Sequence, residues 1–297
     1  MPWQWPVGGL LAFLLALMTT PAGVSGAVLL LPVQLSILHV PSPAVTPTNL
    51  LFNVAATPGG LLRFAREHRL GGSLTRLLVS GSVPGAIVGA VVRVELLSGA
   101  RAFTLIAAVV LLPLGLWLLL GSQSLARQRP PPTRRHRQAT WLLALVVGTI
   151  GGIYGIGGGS LLAPILILSG YTVYEVAPAT LAATFLTSIA GIASYQILQL
   201  LHHGPISPQW ILGAFLGAGG FAGSYCGARL QSRLPERSLR RLLGLIACLV
   251  AARYLQTAAT GSDHRSRSSS AQSMVLRADR ASTGPARGVL RPGLAPS

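Results

Sequence analysis

The sequence predicts an all-α, polytopic integral membrane protein, and three observations support this fold class. Of the 297 residues, 51% are hydrophobic and only 10% are charged, whereas soluble proteins are about one-quarter charged. The apolar residues fall in blocks of roughly 17 to 30 residues, which is the length that a membrane-spanning helix needs. Two of the blocks contain glycine-rich interruptions at corresponding places, which is typical of internally repeated membrane proteins.

Eight apolar segments follow one another along the chain, four on each side of a polar linker. The first segment covers about 7–38 and is interrupted near 21–26. The fifth covers 141–168 and is interrupted at 155–160. The remaining segments are 45–62, 74–92, 102–120, 176–201, 208–230 and 239–255. We expect the first segment of each half to be a broken or re-entrant helix, because glycine interrupts it.

Polar sequence separates the chain into four predicted regions. A run rich in proline and arginine at 127–137 has no apolar periodicity, which predicts a linker. Beyond about residue 256 the chain is rich in Ser, Arg and Gly, which predicts disorder. The regions are a first transmembrane repeat (1–121), a basic linker (122–138), a second transmembrane repeat (139–256) and a disordered basic tail (257–297).

The formal net charge of +17 comes from arginine alone, because the chain contains no lysine. Most arginines lie in loops and in the tail, a pattern that suits anionic lipid headgroups at the cytoplasmic surface. The sequence has no folded basic domain that could present this charge to nucleic acid. The apolar N-terminal stretch lacks a basic n-region and predicts a retained first span. We therefore expect a multi-pass protein of the inner cell membrane that contacts the lipid bilayer and does not bind nucleic acid.

The sequence contains no pattern that is typical of a metal, cofactor or catalytic site. Cys226 and Cys248 lie in separate segments without CxxC spacing. All six carboxylates lie at segment ends, in loops or in the tail, so no carboxylate proton relay is predicted inside the membrane. Dinucleotide-binding and phosphate-binding loop motifs are also absent from the sequence.

The two glycine breaks are the most informative feature of the chain. The strong break, at 151–160, reads Gly-Gly-Ile-Tyr-Gly-Ile-Gly-Gly-Gly-Ser, and the weak break, at 23–26, reads Gly-Val-Ser-Gly. One common offset along the chain pairs Gly23 with Gly155, Gly26 with Gly158, and Pro32 with Pro164. Irregular backbone at membrane depth requires protein or a water-filled cavity to satisfy its polar groups. We therefore expect each break to line a solute site.

A stripe of polar residues follows each break in the next apolar segment. Aligning the two stripes requires a gap of one residue in the connecting loop relative to the alignment of the breaks. The aligned pairs are Pro47 with Pro178, Asn49 with Thr180, Asn53 with Thr184, Thr57 with Ser188, and Gly60 with Gly191. In both copies the three polar residues stand at i, i+4 and i+8, which places them on one helical face. The repeated stripes predict two internally repeated halves, whose parallel or inverted relation stays open.

The strong glycine motif with Pro164, its degenerate N-terminal copy and the two apolar halves resemble the sulfite exporter TauE/SafE family. The resemblance covers about 7–256. It implies an integral membrane transporter that exports sulfite, sulfonates such as sulfoacetate, or other organosulfur anions. The weak break departs from the family pattern because it lacks the glycine run, so a symmetric site is not implied.

A helix that restarts after the strong break would offer N–H groups and a positive dipole end to an anion. We expect Ser160 to be its N-cap and Pro164 to lie in its first turn. Hydroxyl and amide side chains would complete a site for a small anion, nearer 157–160 than midway between the breaks. The predicted substrate-binding residues are Gly155, Gly157, Gly158, Gly159, Ser160, Thr180, Thr184, Ser188, Asn49, Asn53, Gly23, Ser25 and Gly26.

Several alternatives stay open at this point. The glycines could serve close helix packing, and the hydroxyls could bond to carbonyls four residues earlier. Ser160 with His202 could form an intramembrane serine hydrolase, and the chain could be a membrane scaffold or assembly protein. The sequence is also compatible with a homo-oligomer.

Overall fold

The structure, a computed structural model, describes four stretches of the chain and isolated helical residues within 112–119 and 237–256. The four stretches are 4–38, 40–95, 133–202 and 207–235. The predicted fourth and eighth segments are described only at isolated positions, and the predicted tail lies outside the described residues. The described stretches are all-helical, which confirms the predicted fold class. The count of eight segments stays a prediction.

Eight helices are described over these stretches. They are α1 (Gln4–Thr19), which a 3-10 turn (Thr20–Ala22) extends, α2 (Ala27–Ser36), α3 (Ser42–Arg66), α4 (Ser73–Glu95), α5 (Arg134–Tyr154), α6 (Gly158–Leu168), α7 (Val173–His202) and α8 (Trp210–Gln231). Four stretches within them are long and apolar enough to cross a membrane, namely Gln4–Ala22, Ser73–Glu95, Val173–Leu201 and Trp210–Gln231. The protein therefore fits a multi-pass arrangement in a bilayer.

The helix α5 begins at Arg134, well before the predicted fifth segment. Thr133 causes this early start, because its extended backbone and its hydroxyl cap the helix. The Thr133 Oγ1 atom accepts the N–H of His136 at 3.2 Å. An N-cap of this kind satisfies one of the donors that a helix start leaves without an intrahelical partner.

Each of the two short helices, α2 and α6, folds back along the long helix before it. A Cβ atom placed on Gly26 would lie 3.2 Å from the Ala16 nitrogen, and one on Gly158 would lie 3.2 Å from the Gly148 Cα atom. Each contact joins residues that are close in sequence but on opposite sides of a break, so the chain reverses its direction at each break. The α1–α2 and α5–α6 pairs are thus helical hairpins.

Glycine residues join two parallel helix pairs, α4 with α5 and α8 with α1. A Cβ atom on any of six glycines would lie only 2.0 to 2.7 Å from a facing carbonyl oxygen, so the backbones meet where no larger residue fits. The facing pairs are Gly81–Trp141, Gly85–Leu145 and Gly89–Thr149 for α4–α5, and Gly219–Gly9, Gly223–Phe13 and Gly227–Leu17 for α8–α1. Residue numbers rise together in both helices of each pair, which makes each pair parallel.

The central helices α3 and α7 are antiparallel, because Gly60 contacts Leu181 while Gly191 contacts Leu50. Helix α8 runs parallel to α3, since Gly213 contacts Leu51 and Gly217 contacts Ala55. Helix α5 runs parallel to α7, because His136 near the start of α5 lies beside Tyr171 just before α7, while the Tyr195 hydroxyl of α7 donates to the Gly152 carbonyl oxygen near the end of α5. Helices α1, α3 and α8 therefore point in one direction, and α4, α5 and α7 point in the other. Both hairpin turns lie against α3 and α7, whose polar stripes are buried there.

Candidate functional site

The two glycine breaks meet directly inside the protein. The backbone N–H of Ser25, in the first break, donates to the Ser160 Oγ atom of the second at 3.1 Å. The two residues are only 3% and 2% exposed. Because α2 and α6 both begin here, the N-terminal ends of two short helices converge on one buried point.

Asn53 of α3 joins the two breaks through both ends of its side-chain amide. Its Nδ2 atom donates to the Gly155 carbonyl oxygen at 3.3 Å, and its Oδ1 atom accepts the hydroxyl of Ser25. The Asn53 side chain is 0% exposed, so no water competes for these partners. One residue of the first polar stripe thus contacts the breaks of both halves.

Two threonines of α7 also bind backbone groups of the breaks. The Thr180 Oγ1 atom lies 2.8 Å from the Gly23 carbonyl oxygen and 2.9 Å from the Val176 carbonyl oxygen, and its single proton serves one of them at a time. The Thr187 Oγ1 atom accepts the N–H of Gly158 at 3.3 Å. Thr187 was not among the predicted site residues, although it stands three residues after Thr184 and so shares its helical face.

Gly157 and Gly159 allow the start of α6 to lie directly on α7. Gly157 has a φ of 74°, and a Cβ atom on it would lie 2.4 Å from Thr184 Cγ2 and 3.2 Å from Asn53 Nδ2. A Cβ atom on Gly159 would lie 1.8 Å from the Thr180 carbonyl oxygen and 2.5 Å from Thr184 Oγ1. These glycines therefore serve close packing, and the same packing places Thr184 and Asn53 at the break.

Two hydroxyls of the second polar stripe have no hydrogen-bond partner within the described part of the chain. They belong to Thr184 and Ser188, and both side chains are 0% exposed. Buried polar groups are nearly always paired, and a helical threonine or serine usually bonds the carbonyl four residues earlier. Thr184 Oγ1 lies instead beside the Gly159 backbone, which marks this place as the strongest candidate for a ligand contact.

The predicted capping role of Ser160 is wrong. The N-cap of α6 is Gly157, whose φ of 74° and ψ of 138° place it outside the helix. Ser160 is consequently the third residue of α6, and its hydroxyl donates to the Ile156 carbonyl oxygen at 3.1 Å. Pro164 is the seventh residue and lies in the second turn, not in the first as we predicted. The helix begins earlier than expected because Gly158 and Gly159 adopt helical backbone.

Asn49 and Gly26 are placed in the first hairpin rather than at the meeting point of the breaks. Asn49 Nδ2 donates to the Ala27 carbonyl oxygen at 3.0 Å, and its Oδ1 accepts Gln34 Nε2 at 2.9 Å. A Cβ atom on Gly26 would lie 3.4 Å from the Phe52 ring. These residues hold α2 against α3. Gln34 was not among the predicted site residues, although it is the one amide side chain in the first apolar segment.

The polar groups at the breaks are all uncharged. Among the described residues, every buried polar side chain is a serine, threonine, asparagine, glutamine or tyrosine. The arrangement can therefore recognise a ligand only through hydroxyls, amides and backbone dipoles. Such groups, at two helix N-terminal ends, favour negative charge.

Comparison with known proteins identifies the family. The family model described as "Sulfite exporter TauE/SafE" matches residues 9–254. A curated relative, the probable membrane transporter protein YunE of Bacillus subtilis (strain 168), is 30% identical over 161 residues, which are 46% of this chain and 57% of the relative. The chain thus matches little more than half of that relative's length. Comparison with solved structures finds no significant match.

These matches confirm the resemblance that the glycine motif and the two apolar halves indicated. They give no support to the hydrolase or scaffold alternatives, because both matches describe membrane transport. The hydroxyl of Ser160 also donates to the backbone carbonyl oxygen of Ile156 in the break. The chain belongs to the sulfite exporter TauE/SafE family.

Proposed function

We propose that this protein is a membrane transporter that exports a small anion, namely sulfite, a sulfonate or another organosulfur anion, and that the anion binds where the two breaks meet. The observation that carries the proposal is the pair of buried hydroxyls, Thr184 and Ser188, that no described group satisfies. An anion with several oxygens is the type of ligand that accepts hydrogen bonds from hydroxyl donors.

The electrostatics of the site favour an anion over a cation. The positive dipole ends of α2 and α6 point to the same buried region, near the contact of Ser25 with Ser160. Buried carboxylates, which a cation would require, are missing from the described residues. The absence of a buried arginine from this part of the chain keeps the binding weak enough for release, because neutral dipoles hold an anion less tightly than an ion pair does.

Transport requires the hairpins to move. A narrow space without room for a water molecule lies beside the first break, and its polar lining consists of Thr20, Ser25, Thr57 and Ser224. All four of these residues are buried, so we assign this structure to an occluded arrangement. Opening to either side would separate groups that now touch, such as Ser25 and Ser160.

We further propose that the two halves are inverted repeats, an architecture that serves alternating access in many transporters. The glycine contacts of α4 with α5 recur between α8 and α1. The step along the chain from Gly9 to Trp141 equals the step from Gly23 to Gly155, so the facing residues of α1 and α5 follow the same repeat as the breaks. Because α1 and α5 point in opposite directions, the two-fold axis would lie in the membrane plane.

The proposal is tested by anion flux in proteoliposomes that contain the wild type, Thr184→Val, Asn53→Leu or a control. We expect sulfite or sulfoacetate flux in the wild type and a strong loss in both site variants. Ser194→Ala is the control, because Ser194 lies on the same helix but bonds the carbonyl oxygen of Ala190 at 2.8 Å. Unchanged flux in both site variants would remove the proposed site. The absence of flux for every sulfur anion would remove the substrate class.

A further inference from the structure

One end of the helix bundle carries nine of the ten arginines that lie within 4–95 and 133–235. Helices α3 and α8 end there, while α4 and α5 begin there, and the ends are joined by hydrogen bonds of Arg66 to Tyr225 and of Arg69 to Gln231, both 2.8 Å long. The arginines at this end are Arg63, Arg66, Arg69, Arg76, Arg134, Arg135, Arg137, Arg229 and Arg233. Within 4–95 and 133–235, the other end has only Arg93. The positive-inside rule makes the arginine-rich end cytoplasmic.

A cleft of about 590 Å³ opens on this basic end, between the first turns of α4 and α5. It is lined by Leu77 of α4 and by Arg134, Arg137, Gln138 and Trp141 of α5. The two arginines stand three residues apart and Trp141 follows four residues later, so all three share one face of α5. The cleft thus combines two guanidinium groups and an amide with an aromatic and an aliphatic wall.

The positions of Arg134 and Arg137 are unfavourable for the helix that carries them. They lie at the start of α5, where the helix dipole is positive, and the first turn contains no acidic residue. The described ion pairs involve Arg63 and Arg69 with Glu67, and neither cleft arginine takes part in them. Both cleft arginines are solvent-exposed. An external negative ligand would remove this repulsion.

We propose that the cleft binds the headgroup of an anionic phospholipid from the cytoplasmic leaflet. The phosphate would lie between Arg134 and Arg137, whose planar guanidinium groups match phosphate oxygens. Trp141 fits this role because tryptophan is enriched at the depth of lipid headgroups. Leu77 on the opposite wall would contact the glycerol and the first methylene groups. A basic pocket between helices on the cytoplasmic side is the type of site that holds acidic lipid headgroups.

The test is a titration of the purified full-length protein in detergent with phosphatidylglycerol and phosphatidylcholine, with bound lipid counted by native mass spectrometry. Each arginine near an anionic headgroup contributes about fivefold in affinity. We therefore expect Arg134→Gln/Arg137→Gln to weaken phosphatidylglycerol binding about 25-fold and to leave phosphatidylcholine binding unchanged. Arg229→Gln/Arg233→Gln is the charge-matched control, because Arg229 in α8 and Arg233 just after it lie at the same end of the bundle. This variant should change phosphatidylglycerol binding less than about threefold.

An equal loss in both double variants would mean diffuse attraction without a cleft, and no loss in either would equally overturn the proposal. Displacement of the lipid by glycerol 3-phosphate at the same concentration would show a site for free phosphate instead. If Arg134→Gln/Arg137→Gln does not fold, the proposal is tested on the wild type by measuring how strongly spin-labelled phosphatidylglycerol quenches tryptophan fluorescence. The quenching should fall in Trp141→Phe, and an unchanged signal would refute the site. None of these readouts depends on the transported anion.

Discussion

Thr180 and Thr184 stand one turn apart on α7, are both 0% exposed, and should respond in opposite ways to the same substitution. Valine has the shape of threonine without its hydroxyl, so the comparison isolates the hydrogen bond. In Thr180→Val, the Gly23 carbonyl oxygen loses a hydroxyl that lies 2.8 Å away. In Thr184→Val, no described group loses a partner.

The expected magnitudes follow from these contacts. Leaving a buried carbonyl unsatisfied costs about 1–3 kcal/mol, so Thr180→Val should lower the free energy of unfolding by about that amount. Thr184→Val should leave the stability unchanged or raise it by up to about 1 kcal/mol, since it removes an unpaired buried hydroxyl. A hydrogen bond to an anion is worth about 1.5–3 kcal/mol, so Thr184→Val should raise the half-saturating anion concentration roughly tenfold to a hundredfold.

The assay pairs thermal unfolding in detergent with sulfite efflux from proteoliposomes, using the same preparations of both variants. A stability loss in Thr184→Val as large as that in Thr180→Val would show that the Thr184 hydroxyl has a protein partner. Wild-type efflux kinetics in a stable Thr184→Val variant would show that the substrate does not use this hydroxyl. Either result refutes the reasoning from the unpaired group.

Three further predictions concern the second hydroxyl, the glycine contacts and the orientation. Ser188→Ala should keep or raise thermal stability while it reduces efflux, and a normal efflux rate would remove Ser188 from the site. Gly85→Ala and Gly223→Ala should lower the unfolding temperature by similar amounts, because each added Cβ would lie 2.2 Å from a carbonyl oxygen; a loss in only one variant would contradict the repeat. In a cysteine-free background, an impermeant maleimide should label Gln209→Cys in intact cells and Ser73→Cys only after lysis, and the reverse pattern would overturn the orientation.

The sequence contained enough information to find both breaks and most of the residues that meet there. The spacing of Asn53, Thr180 and Thr184 identified faces that are buried at the breaks. Residue spacing predicted these buried faces well, because a polar stripe on an apolar helix in a membrane is stable only where other protein groups contact it. The predicted capping role of Ser160 was wrong, since consecutive glycines leave the start of a helix undefined until packing against α7 fixes it.

What the sequence determined by itself is local: the apolar helices, the two glycine breaks and the polar stripes, all of which follow from residue type and spacing in a lipid environment. The tertiary structure decided which groups meet. The contact of Ser25 with Ser160 joins residues that are far apart in the chain, and periodicity along one helix cannot indicate its partner on another. The directions of the helices were likewise decided by glycine contacts across helix pairs. Those helix directions place the arginines of α3, α4, α5 and α8 at one end.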